Sequence, residues 1–408
     1  MLGGLSAGLI APHVFSWVAE YPILIVLALL CRPGLDLPQG RERYVWIGAV
    51  AAGAIVLLLM NAASERLDDT AKTIAVLALL AAGVALWRRP LAVAAIVAFL
   101  LIGNIVDSED ASSETLRSFF GVHKISETAN GDYRVLMHGT TIHGAQRITA
   151  ADDDEDDDEE EDDDDKKPAE KDKTASDRPT PLTYYFDGSP LAQTIAAARE
   201  KAAGTVRLAV VGLGSGTLAC QTRPGDKLTY YEIDPLVVRI ARDPDRFGFL
   251  TSCAAEAQIV LGDARLTLAD AADGAYDIII VDAFSSDAIP IHLLTREAMA
   301  LYARKISADG MVIMHLSNRH LELASVVAGI AQANGMVMRL DDDETDNTDD
   351  DEYRFESTVA AAARKDADFG ALAASQHWVT KAADPHQPVW TDDYSNVVGA
   401  ILRKLRLD

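Results

Sequence analysis

Between residues 206 and 282, four apolar runs each end in glycines or acids, and together these ends describe a cradle for a nucleotide-like ligand. The run 206–211 stops at Gly212-Leu213-Gly214-Ser215-Gly216-Thr217, where glycines let a ligand approach the backbone. A second run, from Lys227, ends in Glu232-Ile233-Asp234-Pro235, about 20 residues after the first glycine, the separation at which a carboxylate meets a nucleotide ribose. A third, 257–261, ends in Gly262-Asp263-Ala264, and a fourth, 277–281, ends in Asp282.

Spacing selects among ligands. The dinucleotide fingerprint needs a third glycine one position after Gly216, and Thr217 stands there, so nicotinamide is the poorer reading. The Gly212-x-Gly214-x-Gly216 form, followed by Glu232 and Gly262-Asp263, resembles the S-adenosylmethionine-type fold of class I methyltransferases and their aminopropyl-transferring relatives. That resemblance puts Glu232 on the ribose hydroxyls and Asp263 on the adenine amino group. The plainer alternative is a tight strand-to-helix turn with acids that merely cap helices.

The elements needed to position these groups are short, continuous apolar strands, buried on both faces in a parallel α/β sheet that presents its ligands at the carboxyl edge. An alanine-rich helix to about Ala203 precedes them. Strands at 311–315 and 336–340, with a helix from Leu321 between them, and a strand at 355–362 follow. Upstream, residues 119–148 read as a small antiparallel sheet with an Asn130-Gly131 hairpin turn. His138 and His143, five apart, lack a third ligand at metal spacing and read as histidines hydrogen-bonded within a loop.

Formal charge over the 408 residues is −25. Two acidic runs, 152–165 and 341–352, hold nearly all of that excess, and the rest of the chain is close to neutral. The first run cannot bury apolar area and is expected to be a disordered insert. No basic patch with interleaved aromatics is present, so nucleic acid is not an expected partner. Cys31, Cys220 and Cys253 show neither metal spacing nor a disulfide framework.

Apolar stretches at 2–30, 44–60, 73–87 and 91–106 predict about four membrane-spanning helices and a lipid bilayer as partner. Glu20 lies in the first, either as a functional group or at the interface. Arg32, Arg41, Arg43, Arg88 and Arg89 against Arg66 and Lys72 argue weakly for an external soluble domain. A cofactor made in the cytosol argues for a cytoplasmic one. The expectation is a multi-pass cell-membrane protein with a cytoplasmic catalytic domain.

The chain resembles the spermidine synthases (polyamine aminopropyltransferases), and among them the members described as fused major-facilitator/spermidine synthase proteins. The resemblance rests on Glu20-Tyr21-Pro22, the motif from His138 to Gln146, Pro181-Leu182-Thr183-Tyr184-Tyr185, Gly212 to Gly216, Glu232-Ile233-Asp234, Gly262-Asp263-Ala264, Val281-Asp282 and Thr391-Asp392-Asp393-Tyr394. Such members usually carry more membrane helices ahead of the Glu-Tyr-Pro segment, which implies a shortened membrane half. The implied domains are a transmembrane region 1–106, a small β domain 107–150, the insert 151–180 and a Rossmann-like catalytic domain 181–408, of the class I methyltransferase type.

The resemblance implies transfer of an aminopropyl group from decarboxylated S-adenosylmethionine to a diamine such as putrescine, without a metal and in a possible homodimer. Asp282 matches the base that takes a proton from the attacking amine. Gln146, the loop from Gly212 through Ser215 to Gly216, Glu232, Asp263, Ala264 and Pro290 match the nucleoside site. Three positions depart from the soluble enzymes: Ser215 and Ser285 stand where they carry aspartates, and Tyr185 where they carry a histidine. Asp287, Asp392 and Asp393 are the candidates to replace the lost ammonium anchors, and Tyr185 is placed with them on the substrate side. Ser215 also removes a charge that would repel a carboxylate, so S-adenosylmethionine itself is an alternative co-substrate. A methyltransferase and a polyamine-binding or transport-coupled module remain the competing functions.

Overall fold

The computed structural model describes residues 2–31, 40, 44, 93–98, 113–128, 130–148, 178–283, 290–342 and 353–407. It divides into two compact units, Met1–Val122 and His123–Asp408. Of the expected acidic insert only 178–180 are described, and the run after Asp342 up to 352 lies outside the described residues.

In the first unit the apolar stretch 2–30 does not form one long helix. It is broken into Leu2–Leu5, Ser6–Ile10 and Ala11–Val14, Phe15 is extended, and a new helix runs over Glu20–Leu30. Eleven residues reach only about 16 Å, against a hydrocarbon core of about 30 Å. Among the described residues no helix is long and apolar enough to cross a membrane, which overturns the expected multi-pass cell-membrane location. The stretches 44–60 (Tyr44 apart) and 73–87 lie outside the described residues, and of 91–106 only 93–98 are described. Glu20 is buried, and its carboxylate accepts two hydrogen bonds from Arg117, at 2.8 and 2.5 Å. Arg117 follows in β1 (Glu114–Arg117) and also donates to the Trp17 carbonyl. Glu20 thus has a structural partner of opposite charge.

In the second unit β2 (Val122–Glu127), β3 (Tyr133–His138) and β4 (Thr141–Arg147) pair antiparallel in sequence order. The expected turn joins β2 to β3, with Gly131 at φ +77°. His138 and His143 lie on strands rather than in a loop, because only Gly139 and Thr140 separate β3 from β4.

The larger sheet contains β5 (Arg207–Val211), β6 (Lys227–Glu232), β7 (Gln258–Leu261), β8 (Tyr276–Val281), β9 (Ile306–His315), β10 (Val337–Asp342), β11 (Thr358–Ala363) and β12 (Val379–Thr380). Their spatial order is β12-β10-β11-β9-β8-β5-β6-β7. Five strands, β7-β6-β5-β8-β9, are parallel, and β11 joins them antiparallel to β9. This is the parallel α/β sheet that the apolar runs predict, in the Rossmann-like order of class I methyltransferase type that the resemblance implies. Strand order reverses between β5 and β8, where doubly wound sheets bind ligands at the carboxyl edge.

Alternation of side chains explains why the strands read as unbroken apolar runs. Ala209, Val211, Ile279 and Val281 enter one core, beneath the helices Arg296–Lys305 and Ala324–Ala333. Leu208, Val210, Ile278 and Ile280 enter the other, beneath the helix Pro190–Lys201 with Phe369 and Trp378. Each fully buried aliphatic side chain stabilises the fold by about 1.5–3 kcal/mol.

One cysteine pair corrects the reading of the sequence. Cys220, in the turn Thr217–Gln221 after the glycine loop, is disulfide-bonded to Cys253 at the end of the helix Phe249–Cys253, with Cα atoms 4.9 Å apart. The link closes a loop over a separation of 33 residues. Cys253→Ser is expected to lower the unfolding free energy by about 2–4 kcal/mol under oxidising conditions. Denaturant titration with and without reductant checks this, and a wild-type midpoint indifferent to reductant contradicts it.

Candidate active site at the carboxyl edge of the sheet

The glycine loop leaves β5 with left-handed backbone at Gly212 (φ +99°), Gly214 (φ +55°) and Gly216 (φ +87°). Close neighbours reinforce the need for glycine at two of them. A Cβ on Gly212 would lie 2.3 Å from the Asp282 carbonyl oxygen, and one on Gly214 would lie 2.8 Å from the His143 carbonyl oxygen. Gly144 of β4 approaches so closely that its Cβ would meet Ser215 Oγ at 1.9 Å. The loop is therefore gripped from the small sheet as well as from β8. Ser215 is buried, and its hydroxyl shares a 2.8 Å hydrogen bond with that of Thr217.

Glu232, at the end of β6, is buried and reads the loop directly: Oε2 accepts from the Leu213 amide at 2.9 Å, and Oε1 from the Asp234 amide at 2.8 Å. Burial raises its carboxyl above the ordinary range. Asp263 follows β7 and caps the short helix Ala264–Thr267 through the Arg265 amide, at 2.8 Å. Its other oxygen lies 3.4 Å from His292 Nε2. Ala264 is buried beneath it. Pro290 opens the turn Ile291–Leu293. Gln146, on β4, spends its carboxamide oxygen on the Gly248 amide at 2.8 Å.

Asp282, at the end of β8, has a side chain only 4% exposed, and both of its oxygens are engaged. His315 Nδ1 lies 2.8 Å from Oδ1, and the Tyr185 hydroxyl donates to Oδ2. Burial alone would push this carboxyl up, but the His315 imidazole and the Tyr185 hydroxyl hold it below the usual carboxylate range. Tyr184 packs against both neighbours in tilted contacts, its ring centroid 4.4 Å from that of Tyr185 and 4.3 Å from that of His315. Burial pushes both phenols up, so they stay protonated donors.

Two of the expected ammonium anchors, Asp392 and Asp393, line a different part of the edge. Asp392 accepts from Arg265 at 2.8 and 2.7 Å and from Thr295 Oγ1 at 2.7 Å, which holds its carboxyl down at about 2. Asp392 and the exposed Asp393 line an open cavity of about 810 Å³ with Asp263, Arg265 and His292. A separate cavity of about 580 Å³ is lined by Tyr184, His315, Ser317, Arg319, Asp342 and Lys404. Asp287 lies outside the described residues, as does Ser285. The edge therefore splits into a region holding Asp263 and Asp392 and another holding His315, because Arg265 offers Asp392 a stronger partner.

His315 and Ser317 are the residues that the sequence reading passed over. His315 ends the fifth parallel strand and Ser317 follows it by two residues, and that position alone was the available signal. His123, which is buried, and the half-buried His138 and His143 form a row, with ring centroids 4.8 and 5.6 Å apart, and His123 Nε2 lies 3.1 Å from Asp234 Oδ2. Among the described residues no group of three or more His, Cys, Asp or Glu is placed to hold a metal ion.

In sequence the chain is similar to the polyamine aminopropyltransferase of Vibrio vulnificus (strain CMCP6), 31% identical over 112 residues. The match takes in 26% of this chain and 36% of that protein, so the chain spans about a third of the length of the curated relative it matches. No family model matches. Two solved structures are similar at lower identity. A probable spermidine synthase from Corynebacterium glutamicum ATCC 13032 shares 15% identity over 61% of this chain and 79% of that one, with a TM-score of 0.43. Spermidine synthase from Thermotoga maritima shares 13% over 72% and 87%, with a TM-score of 0.40. Likenesses of that strength say nothing of activity. Fusion to a major-facilitator-type membrane half gains no support from these comparisons, and the sequence likeness is to one polyamine aminopropyltransferase over part of its length.

The histidine row carries a pH consequence. Burial pushes the His143 imidazole down to about 4, whereas the unfolded side chain titrates near 6.5. As pH falls below about 6.5 the unfolded chain takes up a proton that the folded chain refuses, so stability is lost in that direction. At pH 5 the loss attributable to His143 is about 2 kcal/mol. Comparing unfolding free energies at pH 7 and pH 5 tests this, since His143→Gln should flatten that part of the slope and an unchanged slope contradicts the assignment.

Proposed function

We propose that the second unit is an aminopropyltransferase that moves an aminopropyl group from decarboxylated S-adenosylmethionine to a diamine of the putrescine type, releasing methylthioadenosine. The observation that carries this reading is Asp282 at the carboxyl end of β8, its carboxylate held by His315 and Tyr185 and its backbone against Gly212. The likeness to the Vibrio vulnificus aminopropyltransferase supports it.

In this reading Glu232 receives the ribose hydroxyls on lone pairs left free by Leu213 and Asp234, and Asp263 receives the adenine amino group beside Pro290. Gln146 and Ala264 frame the nucleoside. The acceptor nitrogen is protonated at neutral pH and cannot attack until it loses that proton. Each carboxylate oxygen of Asp282 has a second lone pair, and one of these accepts the amine proton as nitrogen closes on the carbon beside the sulfonium. The C–S bond breaks, its electrons return to sulfur, and the leaving thioether is neutral. Because the sulfonium is already a good leaving group, positioning supplies most of the remaining acceleration.

Methyl transfer from S-adenosylmethionine is kept as the second reading on one observation. The loop position held by an acid in soluble spermidine synthases is Ser215, whose uncharged hydroxyl is turned to Thr217 and would not repel the carboxylate of the undecarboxylated donor.

Incubating the full chain with putrescine and each donor separates the readings. Methylthioadenosine is the expected nucleoside product, and S-adenosylhomocysteine would favour the second. Asp282→Asn should lower turnover at least about 100-fold while leaving methylthioadenosine affinity within a few-fold. An unimpaired variant removes Asp282 from the role of base.

A further inference from the structure

His315 does more than brace Asp282. Its other ring nitrogen, Nε2, lies 2.8 Å from Ser317 Oγ, so Asp282, His315 and Ser317 form a continuous carboxylate–imidazole–hydroxyl chain with both links at 2.8 Å. The surroundings fix the direction of each proton. Asp282 is acceptor-only when ionised, so His315 Nδ1 carries the hydrogen, and in the neutral ring Nε2 is then an acceptor. Ser317 must therefore donate to Nε2. The Thr358 amide donates to Ser317 Oγ at 2.9 Å, which occupies one lone pair and leaves the second for attack.

The three groups sit at the ends of the sheet strands or just beyond them. Asp282 directly follows β8, His315 ends β9 and is paired in register with Val359 of β11, and the Leu316 amide, just before Ser317, donates to the Thr358 carbonyl at 2.8 Å. Asp282 and His315 are buried, with side chains 4% and 3% exposed. Ser317 and one edge of His315 open onto the 580 Å³ cavity, whose lining does not include Asp282. Arg319 and Lys404 line that cavity together with Asp342 and Glu356, so its charges are mixed. Nucleophile, base and orienting acid in hydrogen-bond sequence beside a cavity are the geometric criteria for an activated serine.

We propose that Ser317 is a nucleophile for acyl transfer, acting on a carboxylic ester or thioester bound in this cavity. Ser317 Oγ forms a bond to the acyl carbonyl carbon while its proton passes to His315 Nε2, and the carbonyl π electrons move to oxygen beside the Arg319 side of the cavity. Collapse of that intermediate breaks the bond to the leaving alcohol or thiol, which takes the proton back from Nε2. Water then repeats the sequence on the acyl-serine, giving the free acid and restoring Ser317. Asp282 stays ionised throughout and orients the imidazole. The activity needs neither a nucleoside nor a polyamine, so it stands or falls apart from aminopropyl transfer.

The test is to treat the full chain with a fluorophosphonate probe, without nucleoside or amine, and to locate the adduct by mass spectrometry. The expected result is one adduct on Ser317, none in Ser317→Ala, labelling slowed at least about 100-fold in His315→Gln, and slow turnover of p-nitrophenyl acetate that the same variants lose. An unlabelled wild type, an adduct on another serine, or unchanged labelling in His315→Gln overturns the proposal. Should Ser317→Ala fail to fold, Ser317→Cys keeps the test open. Its thiol should react with iodoacetamide at least about 10-fold faster with His315 present than in the Ser317→Cys/His315→Gln pair, and equal rates overturn the proposal.

Discussion

An ionised carboxylate taken out of water costs several kcal/mol unless the fold surrounds it with partners, and the burial of Asp282 at the end of β8 is the constraint on which the carboxyl edge depends. The parallel order β5-β8-β9 meets it from both sides. β9 delivers His315 to one oxygen, the segment before the helix Pro190–Lys201 delivers Tyr185 to the other, and β5 places Gly212 so close to the Asp282 backbone that no side chain fits there. A charged group, a hydrogen-bond pair and a backbone contact thus converge where the strand order reverses.

The same edge is divided by charge pairing. Arg265, one residue after Ala264, draws Asp392 into a bidentate pair and holds it in the cavity beside Asp263, while His315 and Ser317 face the other cavity. Glu232 sits between loop and strand, tying the Leu213 amide to β6. Glu232, Asp263, Asp282 and Asp392 therefore each have a defined protein partner, and those partners decide how much of each is left for a ligand.

Period and punctuation made part of this legible from sequence. Runs such as 206–211 and 277–281 are short and continuous because alternate residues enter two different cores, and the glycines and acids that end them mark the carboxyl edge. Glu232, Asp263 and Asp282 stand at those ends. What pairing decides was not legible: Asp392 lies 127 residues from Arg265, and His315 lies 33 from Asp282, separations no spacing rule covers. Cys220 and Cys253 were missed for the same reason. Hydropathy misled at the other end of the chain, because an apolar count over 2–30 does not register the extended Phe15 or the Arg117 that draws Glu20 into a buried pair. The histidines at 138 and 143 were read as loop residues, and their place on strands followed from a turn of only two residues.

The most direct test of the central claim, that this edge cradles a nucleoside beside Asp282, is a crystal structure of the chain grown with methylthioadenosine. Ribose hydroxyls on Glu232, adenine at Asp263 and the thioether sulfur facing Asp282 are the expected result. A nucleoside seated elsewhere, or a glycine loop so fully occupied by His143 and Gly144 that none enters, would contradict it.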